Sequence, residues 1–123
     1  MDAATPRILV IGLDPYRVPG PWDPRPVAEA IERSTSRYAE VGLEVQNCLL
    51  GLDGDDIPAV VTAALSAHAW DCVVVGGGIR KAEELLEVFE VTVNLIRQHA
   101  PGAPIAFNRD PSDIVDAVTR WVR

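Results

Sequence analysis

The chain has 123 residues, of which 48% are hydrophobic, and its formal net charge is −7. This length suits one packed domain, residues 1–123, and is too short for two ordinary ones. Because nucleic acid and anionic membranes are themselves negatively charged, the acidic balance argues against both as partners.

Apolar runs alternate along the chain with amphipathic segments. The runs predicted as strands are Arg7–Gly12, Leu43–Leu50, Trp70–Gly76 and Pro104–Asn108, and the segments predicted as helices are Asp23–Gly42, Asp56–Ala69, Ala82–Ala100 and Asp110–Arg123. Asp23 and Asp110 each precede a proline, which is typical of a helix start. Gly42 and Gly102 follow predicted helix ends. Four strand–helix repeats of this kind predict a parallel sheet.

The apolar pattern also orders the strands. Ile8–Ile11 and Cys72–Val75 are apolar at every position, as expected of central strands that are buried on both faces. Leu43–Cys48 alternates in polarity, as an edge strand does. The sequence therefore predicts a three-layer, doubly wound α/β domain of flavodoxin-like outline, with strand order 2-1-3-4. Right-handed crossovers would place the first and last helices on one sheet face and the second and third on the other.

Open parallel sheets bind ligands at the carboxyl ends of their strands, near the point where the strand order reverses. Here that point lies between the first and third strands. The longest irregular segment, the proline loop (residues 14–26), follows the first strand and contains five prolines. Loops of this length are often functional. The crevice would therefore collect side chains from the proline loop, from the segment after the third strand and from the segment after the fourth.

The segment after the third strand begins with three glycines and continues to Arg80 and Lys81. Glycine lets backbone N–H groups approach a ligand, so this segment favours an anion or a carbonyl oxygen. The predicted ligand-binding residues at the crevice are Arg17, Gly76, Gly77, Gly78, Arg80 and Asn108. The alternative is that the glycines form only a tight strand-to-helix turn and that the two cations are solvated.

Asp14 is the one acid or base predicted at the crevice and is therefore the candidate catalytic residue. The alternative is that Asp14 caps a turn beside Pro15. His68 and His99 precede the third and fourth strands, which places both at the opposite edge of the sheet. Without a serine, cysteine or histidine at the crevice, the usual nucleophile–base pair is missing, so ligand binding or interaction is favoured over catalysis.

Asp53, Asp55 and Asp56 are interpreted as a turn and helix cap, and neither a metal nor another cofactor is expected.

The third predicted helix carries a wide apolar stripe, formed by Leu85, Leu86, Val88, Phe89, Val91, Val93, Leu95 and Ile96. Its arc covers roughly 220°, more than the ~100° that one sheet face requires. The surplus predicts a homo-oligomer, most simply a two-fold dimer, through Val88, Val91 and Leu95. The alternative is burial against a neighbouring helix.

The pattern of an apolar strand, a glycine turn, a helix ending in Ile96-Arg-Gln-His-Ala-Pro-Gly-Ala-Pro104 and a further strand resembles the core of SGNH (GDSL-type) hydrolases. That family has its nucleophilic serine where this chain has Gly12-Leu13-Asp14-Pro15, and its Gly-x-Asn-Asp where this chain has Gly77-Gly78-Ile79-Arg80. The family's Asp-x-x-His is absent. The resemblance therefore implies the scaffold without the activity. In outline the chain also resembles flavodoxin-like and response-regulator domains, without their phosphate-binding loop or phosphorylated aspartate.

Two classes of function follow. The first is a protein that binds a small anionic ligand at the crevice, which includes a diverged hydrolase-like enzyme. The second is a non-catalytic, dimeric interaction module that uses Tyr16, Trp22 and the apolar stripe. No apolar run approaches the roughly 20 residues of a membrane span, and the first residues lack a signal-peptide pattern. We therefore expect a soluble, cytoplasmic protein.

Overall fold

The computed structural model describes residues 5–122. Within that range the strands are β1 (Arg7–Leu13), β2 (Glu44–Leu50), β3 (Cys72–Val75) and β4 (Ile105–Phe107). The helices are α1 (Arg25–Glu40), α2 (Ile57–Ala67), α3 (Gly77–Lys81), α4 (Leu86–His99) and α5 (Ile114–Thr119). Short 3₁₀ turns cover Pro15–Arg17, Glu83–Leu85 and Pro111–Asp113. None of the helices in this part of the chain is long and apolar enough to cross a membrane.

All strand pairs are parallel, and the order β2-β1-β3-β4 confirms the prediction. The two central strands pair from Ile8 with Cys72 to Ile11 with Val75. Every residue of β3 is fully buried, which explains why its sequence is continuously apolar: both of its faces pack against helices.

Alternate residues of the strands enter two separate cores. Ile8, Val10 and Val74 pack with Tyr38 of α1 and with the apolar residues of α5. The residues between them pack against the other helices, in a cluster that contains Leu9, Ile11, Val73, Val75, Val61, Leu65, Ile79 and Ile96. Helices α1 and α5 therefore cover one face, and α2, α3 and α4 cover the other. This is the flavodoxin-like three-layer arrangement, and the predicted distribution of helices is confirmed.

Aspartates initiate several elements through their side chains. Asp56 accepts from the amide of Ala59 at 3.2 Å at the start of α2. Asp110 accepts from the amide of Ser112 at 2.7 Å, while the carboxylate of Asp113 accepts from the amide of Asp110 at 3.2 Å, which completes a capping box. The predicted last helix thus starts with a 3₁₀ turn, and α5 itself begins at Ile114.

The segment after β3 differs from the prediction of one helix over Ala82–Ala100. Helix α3 begins immediately at Gly77, with Gly76 as its extended N-cap residue (φ −65°, ψ 151°). The chain becomes extended at Ala82 (ψ 118°), a 3₁₀ turn follows, and α4 starts at Leu86. The helical content is therefore divided in two, because the extended backbone at Ala82 cannot continue a helix.

The apolar stripe of α4 is partly accounted for within the chain. Val88 and Leu95 pack, half-buried, against the same core cluster as Ile57, Val60 and Ala64 of α2, and the two helices are in contact. Burial against a neighbouring helix, the alternative weighed above, therefore applies to these two residues. Val91 is half-buried as well but does not belong to that cluster. The dimer stays a prediction.

Candidate functional site

A cavity of about 550 Å³ opens at the carboxyl edge of the sheet, on the face covered by α1. This volume lies in the range of roughly 300–1,000 Å³ that is usual for small-molecule sites. The sheet supplies the floor through Val10, Gly12 and Leu49, and the first helix, the proline loop and the segments after β3 and β4 supply the walls. The cavity is thus at the edge where the topology predicts a ligand site.

The cavity lies where glycine occupies this face at the ends of both central strands: Gly12 precedes the last residue of β1, and Gly76 follows β3. Gly12 pairs with Leu49 of β2. The amide of Gly76 donates to the carbonyl of Ile11 at 2.8 Å, which continues the β1–β3 ladder and sets Gly76 beside Gly12. A Cβ atom on Gly76 would lie 3.5 Å from the Cα atom of Gly12, whereas a Cβ atom on Gly12 would meet only the Leu49 side chain, at 3.9 Å. No side chain from these two positions fills the space above Val10.

Helix α1 forms the opposite wall with a stripe at helical spacing that consists of Val27, Ile31, Ser34, Thr35 and Tyr38. Nδ2 of Asn47 donates to the hydroxyl of Thr35 at 3.0 Å, which ties the helix to β2. On the other side, Ser34 donates to the carbonyl of Pro111, and Arg37 donates to the carbonyl of Ser112 at 3.0 Å. The wall is therefore held at both sides of the cavity.

The proline loop contributes Pro15, Val18 and Trp22 to the cavity. The indole N–H of Trp22 donates to the carbonyl of Val18 at 3.1 Å, which folds the loop onto itself. Asp14 is not part of the lining: its carboxylate accepts from the amide of Tyr16 at 3.0 Å and caps the 3₁₀ turn. Asp14 therefore caps a turn, which is the alternative to a catalytic role.

Arg17 pairs with carboxylates instead of lining the cavity. Its guanidinium lies 2.8 Å from Asp53 and 2.6 Å from Asp55. A Cβ atom on Gly51 would overlap the guanidinium, and the Gly51 amide donates to Asp55 at 2.8 Å. Hydrogen bonds from Arg17 hold the pKa of Asp55 below its usual value, and the two carboxylates raise the pKa of Arg17. The ion pair pins the proline loop to the loop after β2.

The two cations of α3 hold the segment after β4. Arg80 donates to the carbonyl of Asn108 at 2.6 Å, with its guanidinium 5.8 Å from the centre of the Phe107 ring. Lys81 donates to the carbonyl of Arg109. Lys81 lines the cavity and Arg80 does not. The structure thereby corrects the predicted grouping, since Asp14, Arg17 and Arg80 do not share one cavity with the glycines.

All three glycines line the cavity, but two of them also permit close packing. A Cβ atom on Gly77 would come within 2.7 Å of the Arg109 carbonyl, and one on Gly76 within 3.3 Å of the Ile11 carbonyl. Contact between their backbone N–H groups and a ligand stays a prediction.

Two residues that line the cavity carry buried polar atoms with no hydrogen-bond partner within residues 5–122, the Tyr38 hydroxyl and Oδ1 of Asn108. Asn108 was predicted to bind ligand, and its Nδ2 donates to the carbonyl of Asp110 at 2.7 Å. Burial raises the pKa of Tyr38, so its hydroxyl stays protonated at neutral pH. An unpaired buried group costs about 1–3 kcal/mol.

Sequence reasoning missed Tyr38 and Gly12. The available signals were the hydroxyls of Ser34 and Thr35 in the inward stripe of α1 and the glycine at the end of an otherwise apolar first strand.

The charged residues that line the cavity are Lys81, Arg109 and Asp110. Hydrogen bonds from Ser112 lower the pKa of Asp110, with smaller contributions from the two cations. Two cations thus face one carboxylate, in a chain whose net charge is −7.

The remaining nucleophilic and basic groups lie elsewhere. Arg7, the first residue of β1, donates to the His68 ring at 2.7 Å, so His68 is at the amino edge of the sheet, and His99 ends α4 ahead of β4. Cys48 and Cys72 belong to the cores on opposite sheet faces, and burial raises the pKa of Cys72 to about 11. Residues 5–122 contain no cluster of histidine, cysteine and acidic side chains that could hold a metal ion.

Comparisons with models of protein families, with curated proteins and with solved structures found no match to this chain. The resemblances to SGNH hydrolases and flavodoxins remain sequence-based expectations.

Proposed function

We propose that this chain binds a small anionic molecule, whose apolar part fills the cavity and whose charged group lies beside Lys81 and Arg109. The observation that supports this most directly is the cavity of about 550 Å³ at the carboxyl edge, left open by glycines at the ends of both central strands.

The walls favour an apolar ligand body. Val10, Ile31 and Leu49 present hydrocarbon from the floor and from the facing helix. Burying apolar surface yields roughly 25 cal/mol per Å², so a ligand with an aliphatic or aromatic body gains affinity from filling this space. Asn47, Ser34 and Trp22 already hold hydrogen bonds to other parts of the wall, which limits the entropy lost when a ligand binds.

The charges favour an anionic group at the mouth. Lys81 and Arg109 lie at the lining with Asp110 as the single carboxylate among them. An ammonium group carries three donors, so Lys81 can bind an anion while it keeps its bond to the Arg109 carbonyl. Charges of this kind mainly orient a ligand and speed its association.

Gly12→Val tests the proposal by reducing the cavity. The position has room for a Cβ atom and sits in a strand, where valine is favoured, so the variant should fold as the wild type does. Decanoate should raise the melting temperature of the wild type more than that of Gly12→Val. The matched control is Gly102→Val, where an added Cβ atom meets nothing within 4 Å and decanoate binding should persist.

The charge requirement is tested separately with decanol, the uncharged analogue. Arg109→Ala should weaken the binding of decanoate several-fold and leave that of decanol unchanged. Equal binding of decanoate to the wild type and to Gly12→Val would overturn the proposal. So would the absence of any melting-temperature shift across aliphatic and aromatic carboxylates and phosphates.

The second candidate is a protein-interaction module. Tyr16 is 64% exposed on the proline loop, and Trp22 on the same loop is 41% exposed. Exposed aromatic residues are frequent at protein interfaces. If this candidate holds, Tyr16→Ala abolishes partner binding and leaves the response to decanoate unchanged.

A further inference from the structure

The Tyr38 hydroxyl and Oδ1 of Asn108 are buried polar atoms without a hydrogen-bond partner in the described range 5–122. Their residues are 1% and 4% exposed, and both line the cavity. Native proteins pair nearly all such atoms with protein, water or ligand. The two atoms therefore bear on which ligand the cavity accepts.

Tyr38 belongs to the closed end of the cavity. Helix α1 follows β1 and returns along the sheet, so Tyr38, near its end, packs in the same core cluster as Ile8 and Cys72 at the beginnings of their strands. Helical side chains lean toward the helix N-terminus, which here directs the ring back toward the cavity.

Nearby hydroxyls are already engaged. Thr35 donates to the carbonyl of Ile31 at 2.8 Å and accepts from Asn47, and Ser34 donates to backbone carbonyls. Their hydrogens are therefore not free to pair with the Tyr38 hydroxyl. A polar atom of the ligand can do so.

We infer that the ligand is polar at both ends: an anionic group at the mouth and a hydroxyl group on the buried part of its apolar body, paired with Tyr38. This inference rests on the proposed function. A hydroxyl suits the Tyr38 hydroxyl, because each can donate to the other or accept from it. Tyr38 then determines specificity, whereas the apolar walls and the cations at the mouth supply general affinity.

Two matched pairs of probes test the inference: decanoate with ω-hydroxydecanoate, and phenylacetate with para-hydroxyphenylacetate. In calorimetric titrations of the wild type, the hydroxylated member of at least one pair should bind about tenfold more tightly, the ratio that one net hydrogen bond gives. Tyr38→Phe should abolish that preference without changing the affinity for the parent compound. It deletes an unpaired buried hydroxyl and keeps the ring, so it should be at least as stable as the wild type.

The outcomes separate the inference from the proposal beneath it. If the parent carboxylates bind and hydroxylation brings no gain, the ligand class is wrong and the proposed function stands. A preference that persists in Tyr38→Phe overturns the role of Tyr38. If no probe of either pair binds, or if Gly12→Val binds them as the wild type does, the proposed function fails and the inference fails with it.

Discussion

The two faces of the sheet are built from the same strands but end differently at the carboxyl edge. On the face covered by α2, α3 and α4, the last fully buried residues of β1 and β3 are Ile11 and Val75, and Leu13 packs beside them. On the face covered by α1 and α5, the next positions are Gly12 and Gly76, and a cavity takes the place of side chains. Side chains thus fill the face covered by α2, α3 and α4 up to the carboxyl edge, whereas on the face covered by α1 and α5 the packing along β1 stops at Val10.

This contrast between the filled and the open face indicates that one side of the sheet provides stability and the other provides the proposed binding site. Alternation along a strand lets neighbouring residues serve different faces, so the filled face can supply packing energy while the other leaves space open. The ties around the open space are polar: Asn47 to Thr35, Arg37 to Ser112 and Arg17 to its two carboxylates. Hydrogen bonds and ion pairs thus hold the walls where packing is absent.

The largest expected effect compares one change on the two faces. Val75→Ala should destabilise the protein by about 2–3 kcal/mol, because it removes two buried methyl groups and leaves a void. Val10→Ala should cost about 1 kcal/mol less, since Val10 already lines a cavity and is 6% exposed. Urea unfolding of both variants measures the difference. Equal losses would contradict the account of an open face.

A smaller effect is expected at the glycines of α3. Gly77→Ala should destabilise by about 1–3 kcal/mol, because its Cβ atom would sit 2.7 Å from the Arg109 carbonyl. Gly78→Ala is the matched control. Its Cβ atom would make an ordinary 3.5 Å contact with Leu13, so the helix should gain about 0.5–1 kcal/mol. Thermal unfolding that ranks the two variants in the opposite order would show that α3 is not pressed against the loop after β4.

The smallest effect concerns the ion pair that pins the proline loop. Because the folded pKa of Asp55 lies below its unfolded value, its contribution to stability is present above the unfolded pKa of about 3.9 and is lost as the pH falls through the folded value. Asp55→Asn should therefore lose less stability than the wild type between about pH 5 and about pH 3. The pKa values of Asp23 and Asp110 are also lowered, but both residues are present in the wild type and in Asp55→Asn, so their contributions cancel when the two pH profiles are compared. Parallel pH profiles would exclude Asp55 as a source of acid sensitivity.

The strand order and the helix layers could be predicted from the sequence because they depend on local patterns. Cys72–Val75 is apolar at every position, and that alone indicates a strand buried on both faces. Helix α3 could not be predicted in this way, because two glycines at a helix start have poor intrinsic helix propensity. Contacts from Arg80 and Lys81 to the segment after β4, which is distant in the sequence, hold this helix instead.

The candidate site was predictable in position but not in composition. Topology places ligands at the carboxyl edge, and the cavity lies there. The importance of Gly12 depends on its register with Gly76, more than sixty residues away in the chain, and that of Arg17 depends on two carboxylates beyond β2. Tyr38 becomes relevant only once the direction of α1 over the sheet is known. Each of these relations is tertiary.

A single substitution at Gly12, near the end of β1, would change the size of the cavity. A Cβ atom at position 76 would make a tight 3.3 Å contact with the Ile11 carbonyl, whereas one at position 12 has room. Alanine, valine and leucine at position 12 would narrow the cavity step by step and exclude progressively bulkier ligands, while the strands keep the rest of the site in place. Descendants of this chain can thus change the molecules they admit without having to evolve a new backbone.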